Sequence, residues 1–197
     1  MTTLQLIMLG ASAFFAFKVY EHIQTLQDPE DEQNNHSDNS QSADAFSPFS
    51  AEDLIEKADE AFDADDMQKA LALLIEANTK EGQNPDVLFK IAYILQTLRD
   101  FDKSMKYYKE ALEVDKNNEY IHNSMASIYR QNGEFTSAKM HLNESIEIDD
   151  QNAITYYNYG NLLVDMEKPD EAKEMYKRAL EVNPDFDEAK EELEKLA

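Results

Sequence analysis

Apolar side chains fall along this chain in three regimes. From Thr2 to Tyr20, TTLQLIMLGASAFFAFKVY, nearly every position is apolar and no charged side chain precedes Lys18. From 28 to 50, DPEDEQNNHSDNSQSADAFSPFS, no apolar period exists before Phe46. From 51 onward apolar residues recur at helical spacing in paired bursts, as in Leu88, Ile91, Ala92 and Leu95 followed by Ser104, Tyr107, Tyr108 and Ala111. Turn-compatible stretches such as RDFD, NGEF and EKPD separate the bursts, so each pair predicts a helix hairpin.

The hairpins repeat. Shifting the chain by 34 residues aligns 51–84, 85–118, 119–152 and 153–186 without a gap. Three columns stay small in every copy: Ala58, Ala92, Ala126 and Gly160; Ala70, Ser104, Ala138 and Ala172; Ala77, Ala111, Ser145 and Ala179. Small residues at fixed positions let two helix axes approach closely, while Phe101, Phe135, Tyr108 and Tyr176 fill the wider gaps beside the crossing. A hairpin cannot bury its apolar faces alone, so the copies are expected to stack on one another. Ser50, with Asp53 three residues on, reads as a capping box opening the first helix. After Pro184, DEAKEELEKLA at 187–197 keeps only Ala189, Leu193 and Leu196 apolar, the pattern of a terminal helix that covers the last repeat.

At this point the sequence resembles the tetratricopeptide repeat family. The period of 34, YYNYGNLL followed by PDEAKEMYKRALEVNP, and the matching FDKSMKYYKEALEVD carry the resemblance over residues 51–186. The first copy departs from it, with Lys57 in an apolar place, Ala61 in a bulky one and Gly82 where proline is common. The implied fold is all-α, a superhelix of four helix-turn-helix repeats with a capping helix, and its first helices line a concave groove suited to a peptide or helix. The resemblance implies groove positions at Phe89, Lys90, Tyr93, Tyr120, Asn123, Ser127, Arg130, Tyr157, Asn158 and Asn161. Tyr157, Asn158 and Asn161 equally match places the family uses for its own packing and hydrogen bonding. Where the family's clamp for chaperone C-terminal carboxylates needs cations, this chain has Ile55, Asp59 and Asn123, which argues against that ligand.

The amino-terminal quarter adds a second expectation. As a helix, Thr2–Tyr20 would reach about 28 Å, close to the roughly 30 Å hydrocarbon core of a bilayer. Residues 1–27 therefore read first as a single-pass membrane anchor. A cleaved signal peptide and a buried helix remain as alternatives, the former weakened by the lack of a basic side chain before the apolar run. Lys18, on the carboxyl side of the span, would put the repeats in the cytoplasm. Residues 28–50 read as a disordered acidic linker, leaving 51–197 as the repeat domain.

Charge and residue inventory narrow the function. The net charge is −23, of which six negative charges fall in 28–50 and the remaining 17 on the repeats. A surface that acidic repels phosphate backbones, so nucleic acid is not an expected partner. Cysteine is absent, the four histidines show no metal-ligand spacing, DADDMQ at 63–68 lacks the glycine and closing glutamate of an EF-hand loop, and no glycine-rich phosphate loop occurs. No enzyme activity, metal or cofactor is expected. What remains is a membrane-anchored scaffold or adaptor that holds a protein partner, with basic residues at the rim of the contact, in assembly or quality control of membrane or envelope proteins. The alternative is a structural subunit of a larger membrane complex.

Overall fold

The computed structural model describes residues 48–196. Among them are nine helices and no strand: α1 Ala51–Asp63, α2 Met67–Lys80, α3 Pro85–Thr97, α4 Phe101–Val114, α5 Glu119–Gln131, α6 Phe135–Ile148, α7 Ala153–Asp165, α8 Pro169–Val182 and α9 Asp187–Lys195.

Helix starts are set by side chains spaced 34 residues apart. Ser50 forms the capping box: its hydroxyl accepts from the Asp53 amide at 3.0 Å, and the Asp53 carboxylate accepts from the Ser50 amide at 3.1 Å. At the corresponding place in the later copies Asn84, Asn118 and Asn152 accept first-turn amides of α3, α5 and α7. The turns inside the hairpins are equally periodic. Asp65, Arg99, Gly133 and Glu167 all take left-handed φ values, from 59° to 77°. Each donates to the carbonyl three residues back, and the next residue donates five back, closing the helix C-terminus. Only Gly133 adopts this conformation without steric cost.

The three small-residue columns are buried in every copy. Gly160 shows why one member lost its methyl: a Cβ there would overlap the ring of the fully buried Tyr176. Ala92 faces the equivalent Tyr108 and keeps its Cβ. The difference follows from the hydroxyls, since Tyr108 donates to Gln96 Oε1, four residues beyond Ala92, whereas Tyr176 donates to Asn161 Oδ1, adjacent to Gly160. That bond draws the Tyr176 ring across the glycine.

Hairpins stack in chain order, and the first helices of copies two, three and four touch one another along one face. The α9 helix packs on α8, burying Ala189 and partly burying Leu193 and Leu196 against Leu163, Ala172 and Tyr176. In the divergent first copy, Lys57 places its ammonium 4.6 Å from the centre of the Phe49 ring.

The single-pass membrane localisation, with its cytoplasmic repeats, is corrected: no helix among the described residues is long and apolar enough to cross a membrane. The longest contain 14 residues, about 21 Å at 1.5 Å per residue, short of a bilayer core of about 30 Å. Residues 1–27, on which that expectation rested, lie outside the described residues, as does the acidic segment as far as 47.

Candidate functional site

The ten positions singled out on α3, α5 and α7 separate into three groups. Phe89, Lys90 and Tyr93 converge with α1. The Phe89 and Tyr93 rings stack at 6.3 Å, Phe62 on α1 meets Tyr93 at 6.1 Å, and the Lys90 ammonium reaches both carboxylate oxygens of Asp59 at 2.6 and 2.8 Å. Between them lies a recess of about 350 Å³ with a floor of Ala58, Leu74 and Ile94. The cause is legible in the repeat register. Copies two and four place the buried rings of Tyr108 and Tyr176 opposite the small column, copy three places Leu142 there in a cluster with Tyr129, Phe135 and Tyr159, and copy one places Leu74 there beneath the recess.

A second group ties copy three to copy four. Asn123 is buried, donates to Ser145 Oγ at 2.8 Å and Thr155 Oγ1 at 2.6 Å, and accepts from Asn158 at 3.3 Å; Ser145 also donates to the Glu119 carbonyl. Asn161 is taken by the Tyr176 hydroxyl, and Tyr157 lies between the Tyr176 and Phe186 rings. Asn123 and Asn158 thus tie copy three to copy four, while Asn161 and Tyr157 are engaged within copy four. Arg130 pairs with Asp165 on the next first helix at 2.6 Å. Both cations predicted for this face are thus engaged by carboxylates.

The third group is open to solvent: Tyr120, 54% exposed, with half-buried Ser127 beside it on α5. Two apolar residues that sequence reasoning missed join it from α7, Ile154 at 51% and Val164 at 38% exposure. Ile154 stands one repeat after Tyr120, so aligning the copies for exposed positions as well as small ones would have found it.

A buried histidine pair lies inside copy three. His122 on α5 and His141 on α6 bring their Nδ1 atoms to 3.0 Å, one nitrogen donating and the other accepting, and Tyr129 stacks on His141 at 5.3 Å. Burial is the main cause that lowers both imidazoles, with His141, further opposed by His122 and Lys109, pushed down to about 4. Glu144 acts in the opposite sense on His122. Among the described residues no group of three or more His, Asp or Glu side chains converges to hold a metal ion.

Residues 61–128 and 117–185 each match a family model described as tetratricopeptide repeat, so the two together span 61–185. No curated protein sequence matches significantly. Among solved structures, that from the functional characterization of Pseudomonas aeruginosa pilF is similar with a TM-score of 0.67 at 20% identity, covering 74% of this chain and 67% of that one. YrrB, a tetratricopeptide repeat protein with an unusual peptide-binding site, gives 0.62 at 19% identity, covering 71% and 72%. The first such domain of Spaghetti (RPAP3), bound to the HSP90 peptide SRMEEVD, gives 0.54 at 25% identity, covering 57% and 89%. Period, hairpin geometry, buried small columns and family match agree: the chain belongs to the tetratricopeptide repeat family.

Proposed function

We propose that this protein is a scaffold that captures a segment of a partner protein along the face lined by its first helices. The observation that carries the reading is the row of exposed apolar side chains on that face: Tyr93, Tyr120, Ile154 and Val164 in three successive copies of an acidic domain, whereas the other large apolar residues exposed among those described, Phe49, Leu98, Val114 and Met140, lie off the first helices. Rigid aromatic side chains offer large contact area at low entropic cost, which makes Tyr93 and Tyr120 the expected anchors. YrrB and the Spaghetti domain, which share the fold, bind peptides, and that supports a peptide or helix as the ligand here.

The ligand's charge is expected to differ from that of SRMEEVD, which is acidic. Asp59 and Asn123 stand where the resemblance puts cations of a carboxylate clamp; Asp59 is negative and Asn123 is buried. The negative field of the domain accelerates encounter with a basic segment, so Lys or Arg is expected at the rim of the contact.

The test is partner capture by the full chain at two salt concentrations. Replacing Tyr93 and Tyr120 by Ala should weaken association by about 1 to 3 kcal/mol while the far-ultraviolet helical signal is retained, and added salt should weaken the parent's association. Undiminished capture of every partner by the folded double variant would defeat the proposal.

A further inference from the structure

The recess between copies one and two has properties that the rest of the face lacks. Its interior is apolar and walled by the rings of Phe62, Phe89 and Tyr93. A cavity of about 150 Å³ in another protein already holds benzene, so about 350 Å³ accepts one large side chain. Its mouth is electrically lopsided. The α1 helix exposes Glu52, Asp53, Glu56, Asp59, Glu60 and Asp63, and its one cation, Lys57, is turned onto Phe49. The remaining cation at the mouth, Lys90, is held by both oxygens of Asp59.

We infer that this recess is a specificity pocket for one bulky apolar side chain flanked by Lys or Arg, and that Lys90 competes with the incoming cation for Asp59. The inference rests on the proposed capture function and narrows it to a register: the apolar anchor enters over Leu74, and the neighbouring cation meets the α1 carboxylates. Charge complementarity selects this occupant. An acidic segment would face the α1 row at close range, and an uncharged one would gain nothing from it. The Lys90–Asp59 pair is solvent-exposed and contributes little to stability, so exchanging its carboxylate for a ligand cation costs little.

Two substitutions separate a specificity pair from a merely structural one. Removing Lys90 frees Asp59 for the ligand, while removing the Asp59 charge deprives the ligand of its partner. The effects on a basic ligand should therefore have opposite signs, whereas a structural pair would give the same sign twice.

The chain contains no tryptophan, so an amidated peptide with a single Trp flanked by Arg residues reports its own environment by fluorescence. Titrated with the full chain, the Trp emission should shift to the blue. Lys90→Gln should tighten binding and Asp59→Asn weaken it, each by about 2- to 5-fold, the range of an exposed ion pair. A Glu-flanked version of the peptide should bind at least 10-fold more weakly than the Arg-flanked one. Leu74→Tyr, copying the residue of copies two and four, should fill the recess and abolish the blue shift. Circular dichroism identifies a variant that fails to fold, and the two charge variants decide the question without Leu74→Tyr. Binding without a blue shift, or changes of the same sign in Lys90→Gln and Asp59→Asn, overturns the pocket. If binding is then still lost in Tyr120→Ala, the capture face stands and only the pocket falls; if it is not, both fall.

Discussion

Replacing His122 and His141 together by Leu should remove an acid weakness from the fold. Both side chains occupy columns that other copies fill with apolar or aromatic groups, Leu54 and Leu73 in copy one and Leu88 and Tyr107 in copy two. The pair is buried with its Nδ1 atoms 3.0 Å apart, an arrangement that tolerates one shared proton and resists a second. A histidine whose folded value lies below its unfolded value stabilises the fold above the unfolded value and loses that contribution as pH falls toward the folded one. For His141 the window runs from 6.5 down to about 4. At pH 5 the unfolded ring is almost fully protonated and the folded ring almost not, which by linkage removes about 2 kcal/mol relative to neutral pH. His122 is shifted in the same direction and adds to the loss. Acidification also relieves the repulsion among the domain's carboxylates, so the parent's own pH profile mixes opposing effects and comparison with the double variant isolates the pair. Urea unfolding of both proteins at pH 7.5 and pH 5 should show the double variant gaining at least about 2 kcal/mol on the parent at the lower pH. The single variant His122→Leu, which strands one imidazole nitrogen, should lose about 1 to 3 kcal/mol at neutral pH. Parallel behaviour of parent and double variant between the two pH values would refute the assignment.

Two further substitutions test the packing. Gly160→Ala should destabilise by about 1 to 3 kcal/mol in urea unfolding, because the new methyl overlaps the Tyr176 ring; Tyr176→Leu, the residue type of Leu142 in copy three, should recover part of that loss. Glu167→Gly should raise the urea midpoint by about 0.5 to 1 kcal/mol equivalent, since Glu167 holds a φ of 59° that Gly133 adopts freely in copy three.

What the sequence discloses here and what it hides divide by range of interaction. The small columns, the Ser50 capping box and the polar helix after Pro184 are written at short, regular spacing, so periodicity alone exposes them. Pairings between elements are not. His122 and His141 are 19 residues apart, Lys90 and Asp59 are 31 apart, and Asn123 and Thr155 are 32 apart; no local pattern connects them. Asn123, Asn158 and Asn161 illustrate the same limit at single positions. A polar residue on a first helix can face solvent or bind neighbouring side chains, and only the partners brought in by the fold reveal that Asn123 and Asn158 join copies three and four while Asn161 accepts from Tyr176 within copy four. The recess has the opposite origin: Leu74 is smaller than Tyr108 and Tyr176, and it lacks the Tyr129, Phe135 and Tyr159 rings that pack around the cluster of Leu142, the leucine of copy three. Comparing copies by volume as well as polarity would have pointed to it. Phe62 escaped notice because the first copy departs from the repeat pattern at Lys57 and Ala61.

The central claim is that a protein partner seats on the face of the first helices. A photo-crosslinking residue placed at Tyr93 or Tyr120, on that face, is compared with one at Val114 or Met140, exposed positions on the second helices α4 and α6. With the full chain and native extract, irradiation should give the same discrete adduct from Tyr93 and Tyr120, reduced by excess of the Arg-flanked Trp peptide, and none from Val114 or Met140. A discrete adduct from Val114 or Met140, with none from Tyr93 and Tyr120, would contradict the account.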